Sequence, residues 1–172
     1  SPSNSQLHLA APPELMRLVG FSNLRLDTSN DSKNPSLQKT HAAVAIDLSG
    51  IGAGYAVDKI GEYLESLGSA AHLVELGGEV RAWGQPSPIY NWRVVLRGNG
   101  TNPPEIISLE HGQALAASTS VRGHWVGNPV TGTIAVVSPS AMPVVAYAPT
   151  CAEADGLATA KVLETAQHNT QD

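Results

Sequence analysis

Apolar positions along this chain fall into short groups with different spacings. After a polar lead-in over residues 1–11, Pro12 and Pro13 open a stretch carrying Leu15, Leu18 and Val19, closed by Gly20. Proline in the first turn with glycine past the end marks a short helix. Leu24 and Leu26 alternate with polar neighbours and predict a short strand. Residues 28–40 are Ser, Asn, Asp and Lys around a single Leu37, the pattern of a solvated loop. Residues 42–48 are small and apolar, which predicts a buried strand. Then Ala56, Ile60, Tyr63, Leu64 and Leu67 recur at helical spacing, the apolar stripe of an amphipathic helix stopped by Gly68. Strands follow at 72–76 and 79–83, split by Gly77-Gly78 as in a hairpin, and again at 92–96 and 106–109. Residues 112–120 are rich in small residues and ambiguous. Residues 133–137 and 143–148 predict strands, and 151–165 a helix. Thr150 and Glu153 stand at the spacing of a capping box at its start. The polar residues 166–172 predict a frayed tail.

Many short strands with two longer helices make this an α+β chain, a mixed or antiparallel sheet packed with helices. With 172 residues, no internal repeat and no sharp boundary, a single domain is expected. Apolar residues make up 42%, enough for a core, whereas charged residues are only 15%. Sixteen glycines and twelve prolines imply many turns and close backbone approaches. A net charge of -5 leaves no basic face and argues against nucleic acid or anionic lipid as partner. The single Cys151 rules out an internal disulfide and a two-thiolate metal site. No apolar run approaches the roughly 18 residues of a membrane span. The chain opens on Ser1, so it is expected to be processed, trimmed or part of something longer.

Four stretches could carry chemistry. Asp47-Leu-Ser-Gly50-Ile-Gly-Ala53-Gly-Tyr-Ala-Val-Asp58 reads as a glycine turn opening a helix. The free N–H groups of a helix start suit an anion, and a plain strand-to-helix turn fits the same residues. The spacing is neither a Walker loop nor a dinucleotide fingerprint. Gly77-Gly78-Glu79, with Arg81 two residues on, could bring backbone close to a ligand or simply turn a hairpin. Gly123-His124-Trp-Val126-Gly-Asn128-Pro-Val-Thr-Gly132 gathers polar side chains in a turn-rich segment, where His124 is either chemical or merely exposed. In Glu153-Ala-Asp155-Gly-Leu-Ala158-Thr159-Ala-Lys161, Asp155 and Thr159 share a helix face. Their oxygens suit a hard cation such as Mg²⁺, and the alternative is a solvent-facing Asp steadying the first turn.

In this order the four stretches resemble the FAD:protein FMN transferases, the ApbE-type flavin transferases. Residues 47–58 are similar to the family's Asp-Leu-Gly-Gly-Ile-Ala-Lys-Gly-Tyr-Ala-Val-Asp block, and residues 77–81 to its Gly-Gly-Asp/Glu-Ile/Val-Arg element. Residues 124–132 resemble its His-Ile-x-Asp-Pro-x-Thr-Gly motif, and residues 154–160 its Ala-Asp-Ala-Leu-Ala-Thr-Ala ending. The resemblance runs from about Pro12 to Glu164 and implies a C-terminal part of the family's fold. It implies Mg²⁺-dependent transfer of FMN from FAD to a threonine of an acceptor flavoprotein, with release of AMP. Side chains of Asp155 and Thr159 and backbone carbonyls of Gly50 and Ala158 would hold the metal. Asp47, Gly50, Ala53, Gly77, Gly78 and Val126 would line the flavin-nucleotide site, with His124 catalytic. The resemblance also implies a periplasmic location or the outer face of the inner membrane, any lipid anchor lying outside this chain.

The chain departs from the family pattern at several points. Ala53 stands where the family has lysine, and Asn128 replaces the aspartate of the Asp-Pro pair. One extra residue separates His124 from Pro129, and Val121 replaces a glycine after Ser118-Thr119-Ser120. The family's N-terminal portion has no counterpart here. These departures suggest a second reading, a non-catalytic flavin-binding or purely structural relative; a third is hydrolysis of FAD to FMN and AMP, with water replacing the acceptor hydroxyl.

Overall fold

The computed structural model describes residues 11–29, 34–98, 102–118, 125–136 and 143–168. The chain divides into two compact units, one of Ser1–Asp47 with Trp125–Val136, the other of Leu48–His124 with Val137–Asp172. The mix of antiparallel strands and few helices is the expected α+β class.

In the first unit, helix α1 (Pro13–Met16) and a 3-10 turn at Phe21–Asn23 lead into strand β1 (Leu24–Asp27), which pairs antiparallel with β2 (Ser36–Lys39). Two expectations are corrected here. The stretch read as a loop over 28–40 contains β2, whose residues are all exposed, so alternation of apolar and polar residues could not announce it. The strand read over 42–48 does not form: the segment is irregular and only Val44 is buried. Lys39 reaches across it, its ammonium donating to the carbonyls of Ala42 and Val44. The unit's other ribbon pairs β8 (Trp125–Gly127) with β9 (Ile134–Val136). Between them Asn128 Oδ1 accepts the N–H groups of Val130 and Thr131 at 2.8 and 3.1 Å, an Asx turn.

The second unit opens with α2 (Gly52–Ser66), followed by strands β3 (His72–Leu76), β4 (Glu79–Trp83), β5 (Trp92–Leu96), β6 (Glu105–Leu109), β7 (Ala114–Ser118) and β10 (Val144–Ala148). Helix α3 (Cys151–His168) closes it, running past the expected end at Thr165. Four strands form an antiparallel sheet in the order β10-β7-β4-β3. The ambiguous stretch over 112–120 thus holds β7, a central strand with Ala114, Leu115 and Ala116 buried. The β3–β4 hairpin turns at Gly77 and Gly78, both at positive φ, the conformation that favours glycine.

Each face of this sheet carries its own core. On one side Val80, Ala82 and Leu115 pack with Ile107 and Leu109 of the β5–β6 hairpin. On the other, Val74, Trp83, Ala114, Ala116 and Ala146 meet Val57 of α2 and Cys151, Ala154 and Ala158 of α3. Alanines dominate this second layer because the helices lie so close to the sheet.

The buried face of α2 differs from the expected stripe. Gly54, Val57, Asp58 and Gly61 are buried, whereas Ile60, Tyr63 and Leu67 are exposed. A Cβ on Gly61 would fall 2.0 Å from the Trp83 ring, and one on Gly54 would fall 2.3 Å from the Cys151 carbonyl oxygen. Contact distance selects this face in place of hydrophobicity. At Gly54 and Gly61 the absence of side-chain bulk lets α2 settle against α3 and β4, with Val57 filling the core between them.

Candidate metal and anion site between two helix starts

The site lies in the second unit, where the N-termini of α2 and α3 meet. The first N–H groups of any α-helix lack intrahelical partners. Helix α2 has no side-chain cap of its own at Ile51. Its Gly54 N–H donates instead to Asp155 Oδ2 of α3, at 3.1 Å. The converse bond is also made: Asp58 of α2 accepts the N–H groups of Cys151 and Ala152, at 2.9 and 3.0 Å, which open α3. Each helix supplies the carboxylate that caps the other. Negative charge at a helix start is favourable, so the two dipoles reinforce the arrangement.

Both carboxylates are buried, Asp58 at 5% and Asp155 at 6% exposure. Asp155 is therefore not the solvent-facing first-turn acid that the residues alone also allowed. Asp58 is neutralised by Arg81, whose Nη1 lies 2.6 Å from Asp58 Oδ1. The guanidinium also lies over the Trp83 ring, 4.8 Å from its centroid. Among the described residues no cation pairs with Asp155. Burial first, then the Asp155 charge, pushes Glu79 above the ordinary carboxylate value, with a smaller push from Glu75. Burial first, then the charges of Asp58, Glu79 and Asp155, drives the Cys151 thiol up to about 12, with Arg81 opposing. Around Cys151 the described residues set three carboxylates against one guanidinium, a surplus of negative charge that a bound cation would relieve.

The glycine turn before α2 reaches the same place. A Cβ on Gly50 would sit 3.3 Å from Thr159 Cγ2 and 3.4 Å from its Oγ1. One on Gly156 would sit 3.9 Å from the Gly50 carbonyl oxygen. Gly50 thus lies along the exposed side chain of Thr159, one turn beyond Asp155, with Ala158 fully buried between them. These donors are a carboxylate, a hydroxyl and main-chain carbonyls, all hard oxygens of the kind that Mg²⁺ takes. Among the described residues, no group of three His, Cys, Asp or Glu side chains is placed to hold a metal ion. A cation here would depend on the single Asp155 carboxylate and neutral oxygens, a set that fits Mg²⁺ with retained waters and not zinc.

The remaining sequence-derived residues distribute as follows. Ala53 is half-buried in the first turn of α2. Gly77 and Gly78 form the β3–β4 turn, and the next residue, Glu79, is the one raised by burial and then by Asp155. Asp47 and Val126 belong to the first unit, Asp47 before the glycine turn and Val126 in β8. His124 lies outside the described residues. Sequence reasoning assigned no role to Asp58, Glu79 or Arg81. The signal was present in the quoted motifs, because Glu79, Arg81 and Trp83 alternate on β4 and so point together to the helix face. Asn128 accepts two backbone N–H groups through one side-chain oxygen, as an aspartate would, so its replacement of an acid leaves the turn intact.

Comparison with known proteins places this architecture. The FAD:protein FMN transferase of Haemophilus influenzae is 29% identical over 170 residues, covering 88% of this chain and 48% of the relative. That of Chlamydia trachomatis is 30% identical over 165 residues, covering 89% of this chain and 50% of the relative. The apo flavinyl transferase ApbE of Pseudomonas stutzeri superposes with a TM-score of 0.67 at 27% identity, over 90% of this chain and 49% of that structure. The flavin transferase ApbE from Vibrio cholerae gives 0.68 at 26%, over 92% and 53%. The chain spans about half the length of the curated relatives it matches. The ApbE family model matches residues 2–170, almost the whole sequence, and the chain belongs to the ApbE family.

Proposed function

We propose that this chain carries the metal-binding part of an FAD:protein FMN transferase, acting on FAD and on a threonine of an acceptor flavoprotein. The observation that supports it most is the meeting of Gly50, Gly54, Asp155 and Thr159 at the crossed starts of α2 and α3. Asp155 would hold Mg²⁺ through the oxygen not given to Gly54, with Thr159 Oγ1 and the carbonyls of Gly50 and Ala158 as neutral donors. When bound there, the ion would offset charge on the FAD pyrophosphate as the phosphoryl bond is exchanged.

The protein's own residues divide the remaining work. The glycine turn and the start of α2, where Asp155 takes only the Gly54 N–H, would offer the remaining backbone N–H groups to an anion. Asp155 orients on Gly54, so its free oxygen has a fixed direction. His124 is proposed to move the acceptor proton, on the strength of the motif resemblance. Ala53 gives the nucleotide no charge, so neutralisation of the pyrophosphate falls on the metal. The proposed setting is the outer side of the bacterial cytoplasmic membrane.

The test measures AMP release and flavin attachment to a threonine-bearing acceptor, with and without Mg²⁺, for wild type and Asp155→Ala. Metal-dependent transfer in the wild type, absent in the variant, is the expected result; unchanged turnover in Asp155→Ala sinks the proposal. Ala53 favours a second reading, a flavin-binding relative without transfer. That reading expects FAD binding with neither AMP nor modified acceptor.

A further inference from the structure

We propose that Asp58, clamped by Arg81, is the positioning residue for the Asp155 carboxylate: it fixes the start of α3 on α2 and so sets where Asp155 meets a divalent cation. The inference rests on the cation reading above and goes beyond it in naming what holds the ligand in place.

Geometry carries it. Asp58 binds the N–H groups of Cys151 and Ala152, and Asp155 follows Cys151 by about one turn of the same helix, roughly 6 Å along its axis at 1.5 Å per residue. A slip of α3 at Cys151 is therefore passed undiminished to Asp155. The seam has no slack there, because Gly54 of α2 touches the Cys151 carbonyl and the Ala152 Cα without room for a methyl group.

Helix α3 also has a local cap, in which Glu153 N–H donates to Thr150 Oγ1 at 3.3 Å. That bond closes the helix start on itself. The Asp58 bonds do something a local cap cannot, since they tie the start of α3 to another helix across 93 and 94 residues of sequence.

The clamp is balanced in charge. Arg81 gives Nη1 to Asp58 and leans on Trp83, while its buried Nε has no partner among the described residues. Asp58 and Arg81 largely cancel, so Asp58 serves the cation by placement and not by attraction. Both Asp58 oxygens are already engaged, which leaves Asp155 as the acid for the ion.

The experiment titrates the purified chain with Mn²⁺ alone, by calorimetry or electron paramagnetic resonance, for wild type, Asp155→Ala, Asp58→Asn and Arg81→Gln. Each titration is run at a temperature where circular dichroism shows that protein folded. Asp155→Ala is expected to lose Mn²⁺ binding, and Asp58→Asn to weaken it roughly 10- to 100-fold, the usual loss when an outer partner of a ligand is removed. Arg81→Gln should weaken it less, because the two backbone bonds to Asp58 remain. Alkylation of Cys151 gives a second readout: it should be faster in Asp58→Asn and slower in wild type with Mn²⁺ bound.

Folded Asp58→Asn with wild-type Mn²⁺ affinity overturns the proposal. If Asp58→Asn does not fold, Arg81→Gln decides, and wild-type affinity in that variant overturns it too. Wild-type Mn²⁺ affinity in Asp155→Ala contradicts the cation reading itself, and the positioning role falls with it. Loss in Asp155→Ala with none in the other two variants leaves the cation reading standing and removes the positioning role alone.

Discussion

Replacing Gly54 by alanine adds one methyl group where α2 and α3 touch backbone to backbone. The new Cβ would lie 2.3 Å from the Cys151 carbonyl oxygen and 2.8 Å from the Ala152 Cα, atoms that no side-chain rotation can move away. The helices must separate, and the Gly54 to Asp155 hydrogen bond lengthens with them. Alanine gains about 1 kcal/mol over glycine in helix propensity. Against this stand about 1–3 kcal/mol of overpacking and about 1.5–3 kcal/mol for a hydrogen bond to a charged group. The net loss is about 1.5–5 kcal/mol, or roughly 3–20 °C in Tm for a chain of this size. Gly52→Ala is the control, since nothing lies within 4 Å of its added Cβ. Thermal and urea unfolding of both variants, followed by circular dichroism, should show Gly52→Ala at or above wild type and Gly54→Ala well below. Equal stability of the two variants would refute the close-contact seam.

Three further outcomes follow from the same geometry. Glu79 holds its proton more tightly folded than unfolded, so its contribution to stability is full at acid pH and is lost as pH rises from its ordinary value of 4.5 through the raised folded value. Glu79→Gln should therefore raise Tm at pH 7 and leave it unchanged near pH 4, and an equal gain at both pH values would contradict the coupling. The Cys151 thiol, buried and pushed up to about 12, should resist disulfide reagents at pH 8 in the native chain and react fully in denaturant; rapid native reaction would show an open seam. Asn128→Asp should match wild type in thermal unfolding because a carboxylate accepts the same two N–H groups, whereas Asn128→Ala should cost about 1 kcal/mol.

Which parts of the fold were legible follows from what each residue reports. The β3–β4 hairpin announced itself through Gly77-Gly78 between alternating runs, and the start of α3 through Thr150 and Glu153. Strand β2 was silent, since its four residues are all exposed and periodicity only reports burial. The stretch over 42–48 misled for the opposite reason: small apolar residues suggest a core that only Val44 enters. Helix α2 is the most instructive. Ile60, Tyr63 and Leu67 mark the exposed side, and Gly54 and Gly61 flank Val57 on the buried one, because close packing against Cys151 and Trp83 demands absence of bulk there.

The site divides in the same way. Asp155 and Thr159 were readable as a pair from their spacing on one helix, and the glycine turn from its density. That these two segments meet is a tertiary fact, carried by the 101 residues between Gly54 and Asp155. The bonds that Asp58 accepts from the start of α3 had no local signature, although the alternation of Glu79, Arg81 and Trp83 along β4 did. They emerge only when β4 places Arg81 and Trp83 on the helix side of the sheet.

The most direct measurement is calorimetric titration of the chain with FAD, with and without Mg²⁺, in wild type and Asp155→Ala. The crossed helix starts predict FAD binding that strengthens with Mg²⁺ in wild type and loses that dependence in the folded variant. An identical Mg²⁺ dependence in both proteins would contradict the proposal that Asp155 holds a divalent cation.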